Sequence, residues 1–347
     1  PDIDPATQVT GYVNERELLD DLQLVYDSLV AGGDSNLADA GLKDLIRLVQ
    51  TFGFFLMHLD IRQESNRHSG AVSEIFAMLP DATDYTSLDE AARQQHLTRA
   101  LATAAPALDR SGLSEETRET LEVFDVMRNM QAEVSENAFG NYVISMTHTA
   151  SNILEVMYLA WLTGLAGKQD GEWFCQIRIS PLFETIDDLE HAETILTQLL
   201  QNEHYRALLN KACHCQEIML RYSDSCKDGG ILATNWSLYE AQKKSISITS
   251  RYDLQVRLLH GSVGTIGRVG GPTHEAILSQ PPGTVHGQIK FTEQGEVLRY
   301  KYSNPETAVY ELSMGLTGLL KASRAIIGPH VEDRRDHMHV MNQFTRL

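Results

Sequence analysis

The chain has 347 residues, four cysteines and a formal net charge of −18. That length supplies interior for two average domains or one large α/β barrel. The acid excess argues against a general binder of nucleic-acid backbones, which needs a basic face.

No apolar run approaches the roughly 20 residues of a membrane span, and no basic-then-apolar leader opens the chain. Neither nucleic acid nor membrane is expected as a partner, and a cytoplasmic location is expected. Cys213-His214-Cys215 lacks the spacing and the second pair of a structural zinc site. With Cys175 and Cys226 these are expected to be reduced thiols. The chain starts on Pro1 and ends on a polar segment, 332–347, so a piece of a longer protein is expected.

In chain order, 14–29 predicts a helix, with Leu18, Leu19, Leu22, Val25 and Leu29 on a broad apolar face. A second helix is predicted over 42–51, and residues 1–51 form an N-terminal helical segment. The apolar run 52–59 predicts a strand buried on both faces, ending near Asp60-Ile61-Arg62. Runs of the same kind follow at 142–146, 177–183, 218–220, 254–259 and 288–291. Helical stretches separate them, at 71–78, 88–101, 116–130, 151–162, 186–200, 231–246 and 308–327. After one interval of about 85 residues, the strand ends recur every 32 to 39 or so. Strand, polar cluster and helix at that spacing predict repeated βα units and a parallel sheet. The expected fold is therefore α/β and predominantly helical: a partial (β/α) barrel over 52–330 with a helical insertion at 66–140, then a polar tail from 331 to 347.

A βα barrel carries its chemistry at the C-terminal ends of its strands. Here those ends carry Arg62, Glu64, His148, Glu184, Asp224, Lys227, His260, Arg268 and Glu293. Glu184 and Asp224 follow successive strands, and two carboxylates completed by water suit Mg²⁺ or Mn²⁺ better than zinc. Capping of the following helices is the alternative for both. Arg62 lies between Asp60 and Glu64, and Lys227 between Asp224 and Asp228, so ion pairing accounts for either without a ligand. Between His260 and His274, glycines at 261, 264, 267, 270 and 271 surround Arg268. Such a loop can turn backbone N–H groups toward an anion, with Arg268 adding planar donors. It fits neither a Walker loop nor a dinucleotide fingerprint. Together these residues suggest a small anionic substrate held partly through a divalent cation.

Five longer motifs resemble the phosphoenolpyruvate carboxylase family. They are Leu59-Asp60-Ile61-Arg62-Gln63-Glu64-Ser65, Pro181-Leu182-Phe183-Glu184-Thr185, Tyr222-Ser223-Asp224-Ser225-Cys226-Lys227-Asp228-Gly229, Ser279-Gln280-Pro281-Pro282-Gly283 and Thr292-Glu293-Gln294-Gly295-Glu296. The resemblance implies an eight-stranded TIM-type barrel, of which this chain supplies about six strands, and a tetrameric parent. It also implies Mg²⁺ or Mn²⁺ as cofactor and phosphoenolpyruvate and bicarbonate as substrates. By the same resemblance, Glu184 and Asp224 are metal ligands and Arg62 holds the substrate phosphate. Arg268 and His260 belong to the loop that serves bicarbonate and carboxyl transfer, and Lys227 lies near the bicarbonate side.

The chain departs from the family pattern at four positions. Ser262 stands where the family has a phosphate-binding arginine, while Val263, Val269 and Arg221 each stand where it has glycine. The family's catalytic histidine segment and further arginines are not among these residues, so little carboxylase activity is expected of the chain alone. A catalytically impaired structural or regulatory relative, or another barrel lyase acting on a keto-acid or phosphorylated substrate, are the alternative readings.

Overall fold

The structure, a computed structural model, describes residues 11–212, 214–221, 225–260, 273–293, 295–328 and 333–345, without the side chains of 225–229, 231 and 325. The fold is mostly helical around six strands: β1 (Leu59–Glu64), β2 (Phe139–Ser145), β5 (Ile179–Phe183), β6 (Cys215–Leu220), β7 (Gln255–His260) and β8 (Lys290–Phe291). They stand in the order β1-β2-β5-β6-β7-β8, a curled half-barrel sheet, and the pairs from β2 to β8 are parallel. A separate antiparallel hairpin joins β3 (Ala166–Gln169) to β4 (Glu172–Cys175). Among the described residues no helix is long and apolar enough to cross a membrane.

Two compact units divide the chain, one built from residues up to Ile61 with Asp125–Gly140, the other from Arg62–Phe124 with Asn141–Leu347. In the first, Asn14 accepts a hydrogen bond from the Glu17 amide and starts the helix Glu15–Ala31. Glu15 Oε1 accepts from Ser135 Oγ at 2.7 Å, which ties the two segments of that unit together.

The second unit holds the parallel pairs. Register Leu182↔Met219↔Leu259 places one inward row on three neighbouring strands, and with Val143 these side chains form a buried apolar cluster. Side chains alternate faces along a strand, so the residues two positions away lie on the same inward face. Toward the N-terminal ends these are Glu217 and Arg257. Toward the C-terminal ends they are Ser145, Glu184 and Arg221. The apolar row thus separates two polar ones. Glu217 is only 2 % exposed and is held by Arg257 Nε at 2.5 Å and Lys290 Nζ at 3.5 Å.

The helix Ala150–Leu162 packs against the sheet with every residue from Ala150 to Trp161 buried. Each Leu or Ile fully removed from water there contributes about 1.5–3 kcal/mol. Its one carboxylate, Glu155, accepts from Ser69 Oγ at 2.6 Å and Tyr85 Oη at 2.8 Å. Burial nevertheless pushes its pKa above the usual carboxylate range.

The first strand is placed differently from the sequence reading. The run 52–58 is not a strand. Gly53 and Leu56 adopt positive φ, 50° and 62°, and Phe54, Leu56 and Met57 are exposed. The extended segment begins at Leu59 instead, in the alternating Asp60-Ile61-Arg62-Gln63. Apolar content alone does not make a buried strand where the backbone turns. The β3–β4 hairpin was not anticipated, although Asp170-Gly171 at its tip carries the expected signal. Both residues have positive φ, 52° and 85°, as a two-residue turn matched to strand twist requires.

Candidate active site

The site is built where β1, β2, β5 and β6 end. Glu184 directly follows β5, and its side chain is 5 % exposed. The segment is fixed locally by Asp188, whose Oδ2 accepts from the Thr185 amide at 3.0 Å and the Glu184 amide at 3.3 Å. Thr185 Oγ1 accepts in return from the Asp188 amide at 3.1 Å. This reciprocal cap starts the helix Ile186–Gln201. It leaves the Glu184 side chain free of the capping role that sequence reasoning set beside metal binding.

Arg62, Arg221 and Met146 converge on the Glu184 carboxylate. Arg62 Nη2 donates to Oε1 at 3.3 Å and Arg221 Nη1 donates to the same oxygen at 3.2 Å. The Met146 amide donates to Oε2 at 3.3 Å. Met146 reaches this orientation with φ of 55°, a left-handed conformation uncommon for a non-glycine residue and of a kind that recurs at functional sites. Its carbonyl accepts from Ser65 Oγ at 2.6 Å. Arg62 has a second anchor, since its Nε donates to Ser145 Oγ at 2.6 Å. The guanidinium is thereby held in one plane at the strand ends, presenting several N–H groups outward.

The remaining sequence candidates are distributed around this centre. His148 is exposed, its Nδ1 2.7 Å from Asp188 Oδ1. Glu64 accepts from Asn66 Nδ2 at 3.1 Å and faces solvent. His260 ends β7, pairing with Leu220 and Phe291 in register. Burial pushes its imidazole down to about 4, so it is neutral near pH 7. Glu293 pairs with Lys301 Nζ at 2.7 Å. His274 stands near Thr317 Oγ1, at 3.0 Å. Asp224, Arg268 and Ser262, with Val263 and Val269, lie outside the described residues, as does the Lys227 side chain.

Arg221, Ser145, Met146 and Asp188 belong to the site and were not proposed for it from sequence. Arg221 was noted only as a departure from the family pattern. Its signal was available, because 217, 219 and 221 share one strand face and 219 is apolar core.

Among the described residues, no group of three or more His, Cys, Asp or Glu is placed to hold a metal ion. Glu184 supplies one hard oxygen donor at a strand end, the donor type that Mg²⁺ or Mn²⁺ takes. The described part of the site offers such a cation one carboxylate.

The family model of phosphoenolpyruvate carboxylase matches residues 3–347. A phosphoenolpyruvate carboxylase of Aromatoleum aromaticum is 41 % identical over 321 residues, covering 92 % of this chain and 35 % of the relative. That of Thermosynechococcus vestitus is 42 % identical over 316 residues, covering 90 % and 31 %. That of a Synechococcus strain is 39 % identical over 351 residues, covering 98 % and 32 %. The chain therefore spans about a third of the length of the curated relatives it matches. With its strand-end arginine and buried glutamate in the motifs that carried the resemblance, the chain belongs to the phosphoenolpyruvate carboxylase family.

Proposed function

We propose that the complete protein carboxylates phosphoenolpyruvate with bicarbonate, giving oxaloacetate and phosphate in the cytoplasm. In this reading the six strands are part of a TIM-type barrel in a tetrameric enzyme. The observation that supports it most directly is the pairing of Arg62 with buried Glu184 at the strand ends. Together these offer a planar cation for a phosphate and a hard oxygen for a divalent ion. Glu184 and Asp224 are the residues assigned to Mg²⁺ or Mn²⁺, which when bound neutralises charge developing on substrate oxygens.

The chain's own groups have separate tasks. Arg62, kept in plane by Ser145, orients the phosphate for attack by a bicarbonate oxygen on phosphorus. The bond from phosphorus to the enol oxygen breaks, leaving carboxyphosphate and the enolate of pyruvate. Carboxyphosphate then yields carbon dioxide and phosphate, and the enolate carbon adds to carbon dioxide. Neutral His260, with Arg268 and Lys227, is assigned to the bicarbonate and carboxyl-transfer side. Positioning and fixed charge carry most of such a reaction, because the bonds that change are in the substrates.

The test is oxaloacetate formation by the complete protein, coupled to NADH oxidation through malate dehydrogenase, with Mg²⁺ or Mn²⁺ supplied. Glu184→Gln is expected to lower kcat/KM by about 100-fold or more. The 347-residue chain alone is expected to show little or no turnover. Absence of oxaloacetate formation by the complete wild-type protein refutes the assignment and favours an impaired regulatory relative.

A further inference from the structure

Two guanidinium groups share one oxygen of one buried carboxylate. Arg62 and Arg221 contact Glu184 Oε1 at 3.3 and 3.2 Å, so these three groups carry one positive charge in excess. The two arginines are not equivalent. Arg62 is also anchored through Nε to Ser145 at 2.6 Å. Arg221 reaches Glu184 through a single nitrogen, Nη1, and its side chain is 34 % exposed against 5 % for the carboxylate. Its backbone is fixed independently, since the Arg221 amide donates to the Phe183 carbonyl at 3.1 Å. The side chain can therefore swing without disturbing the end of β6.

A divalent cation bound through Oε1 needs a lone pair that one of the two guanidinium donors now occupies, and it repels a guanidinium a few ångströms away. One arginine has to leave. The singly held one leaves at lower cost, and it arrives beside a new double positive charge with its donors unpaired. An anion with several oxygens, such as a phosphate, satisfies both the guanidinium and the cation.

We propose that Arg221 is a placeholder on Glu184. It occupies Oε1 while no divalent cation is bound, gives way when one binds, and then grips the anionic group of the substrate. Cation and anion thereby fill the site together. This rests on the assignment of Glu184 to a divalent cation made above, and it gives Arg221 a role in this chain where the family pattern has glycine.

The experiment measures Mn²⁺ binding to the complete protein by electron paramagnetic resonance, with and without inorganic phosphate as the probe anion. Wild type, Arg221→Gly, Arg221→Met and Glu184→Gln are compared, the methionine variant keeping Cβ and stem so that backbone loosening is separated from loss of charge. Without phosphate, both Arg221 variants are expected to bind Mn²⁺ on the order of fivefold more tightly than wild type, the exposure of the pair limiting the effect. Phosphate is expected to tighten Mn²⁺ binding in wild type, and that gain is expected to shrink by a similar factor in both variants. If Glu184→Gln loses Mn²⁺ affinity while the Arg221 variants bind Mn²⁺ as wild type or more weakly, the placeholder role is overturned and the carboxylate assignment stands. If Glu184→Gln binds Mn²⁺ as tightly as wild type, the carboxylate assignment fails and takes this inference with it.

Discussion

His68 is fully buried on the helix Ser65–Met78, three residues after the serine that holds the Met146 carbonyl. Its Nε2 lies 2.8 Å from Tyr142 Oη, and its Nδ1 has no partner among the described residues. Burial pushes its pKa down to about 3. The sign follows from linkage: a depressed folded pKa gives stability that is complete above the unfolded value, near 6.5, and is lost as pH falls toward 3. Between pH 7.5 and pH 5 the loss works out at about 2 kcal/mol, from 1.5 pH units at 1.36 kcal/mol each. The measured quantity is a difference between two proteins, so that contributions common to both cancel. Urea midpoints of wild type and His68→Gln are compared at both pH values, glutamine keeping a donor toward Tyr142 without titrating. The variant is expected to be less stable at pH 7.5 and to lose about 2 kcal/mol less on acidification. Histidine ring NMR is expected to show His68 still neutral at pH 5. Equal acid losses in the two proteins, or a His68 ring that titrates near pH 6, refute the reasoning.

Glu217→Gln removes the charge that Arg257 and Lys290 share in the lower polar row. Breaking a buried pair costs about 3–5 kcal/mol. The cations keep 25 % and 32 % of their exposure, so about 2–3 kcal/mol is expected in thermal unfolding, and a loss below about 0.5 kcal/mol contradicts the buried network. In the complete protein, Arg62→Lys keeps charge but loses the planar fork whose Nε and Nη2 reach Ser145 and Glu184. The KM for phosphoenolpyruvate is expected to rise about tenfold or more with a smaller fall in kcat, and an unchanged KM removes Arg62 from the phosphate.

Periodicity was enough to find the repeated βα pattern because its units are local. Strand β5 and the helix Ile186–Gln201 adjoin in sequence, and Thr185 and Asp188 cap that helix from within four residues. Where backbone geometry overrides composition, the reading went astray. The apolar run at 52–58 contains two positive-φ positions, and its Phe54 and Leu56 are exposed, whereas the true strand carries Asp60, Arg62 and Glu64. A strand whose inward face is a site reads as polar, so hydropathy points away from the functional strand.

The same distinction governs the site. Glu184 and Arg62 were legible from their position at strand ends and from long motifs, but 122 residues separate them, and no spacing rule yields their contact. Arg221 is the sharper case. As a letter it is only a large charged residue where the family pattern has glycine, and that reading makes it a loss. In the fold it stands one parity step beyond Met219 and reaches the same oxygen as Arg62, so it is a gain of charge at the centre. The sequence determines which residue types are present. Whether a substituted cation obstructs a carboxylate or exchanges with a metal on it depends on what else anchors that cation, and here the Ser145 hydroxyl, which holds Arg62 and not Arg221, makes the difference.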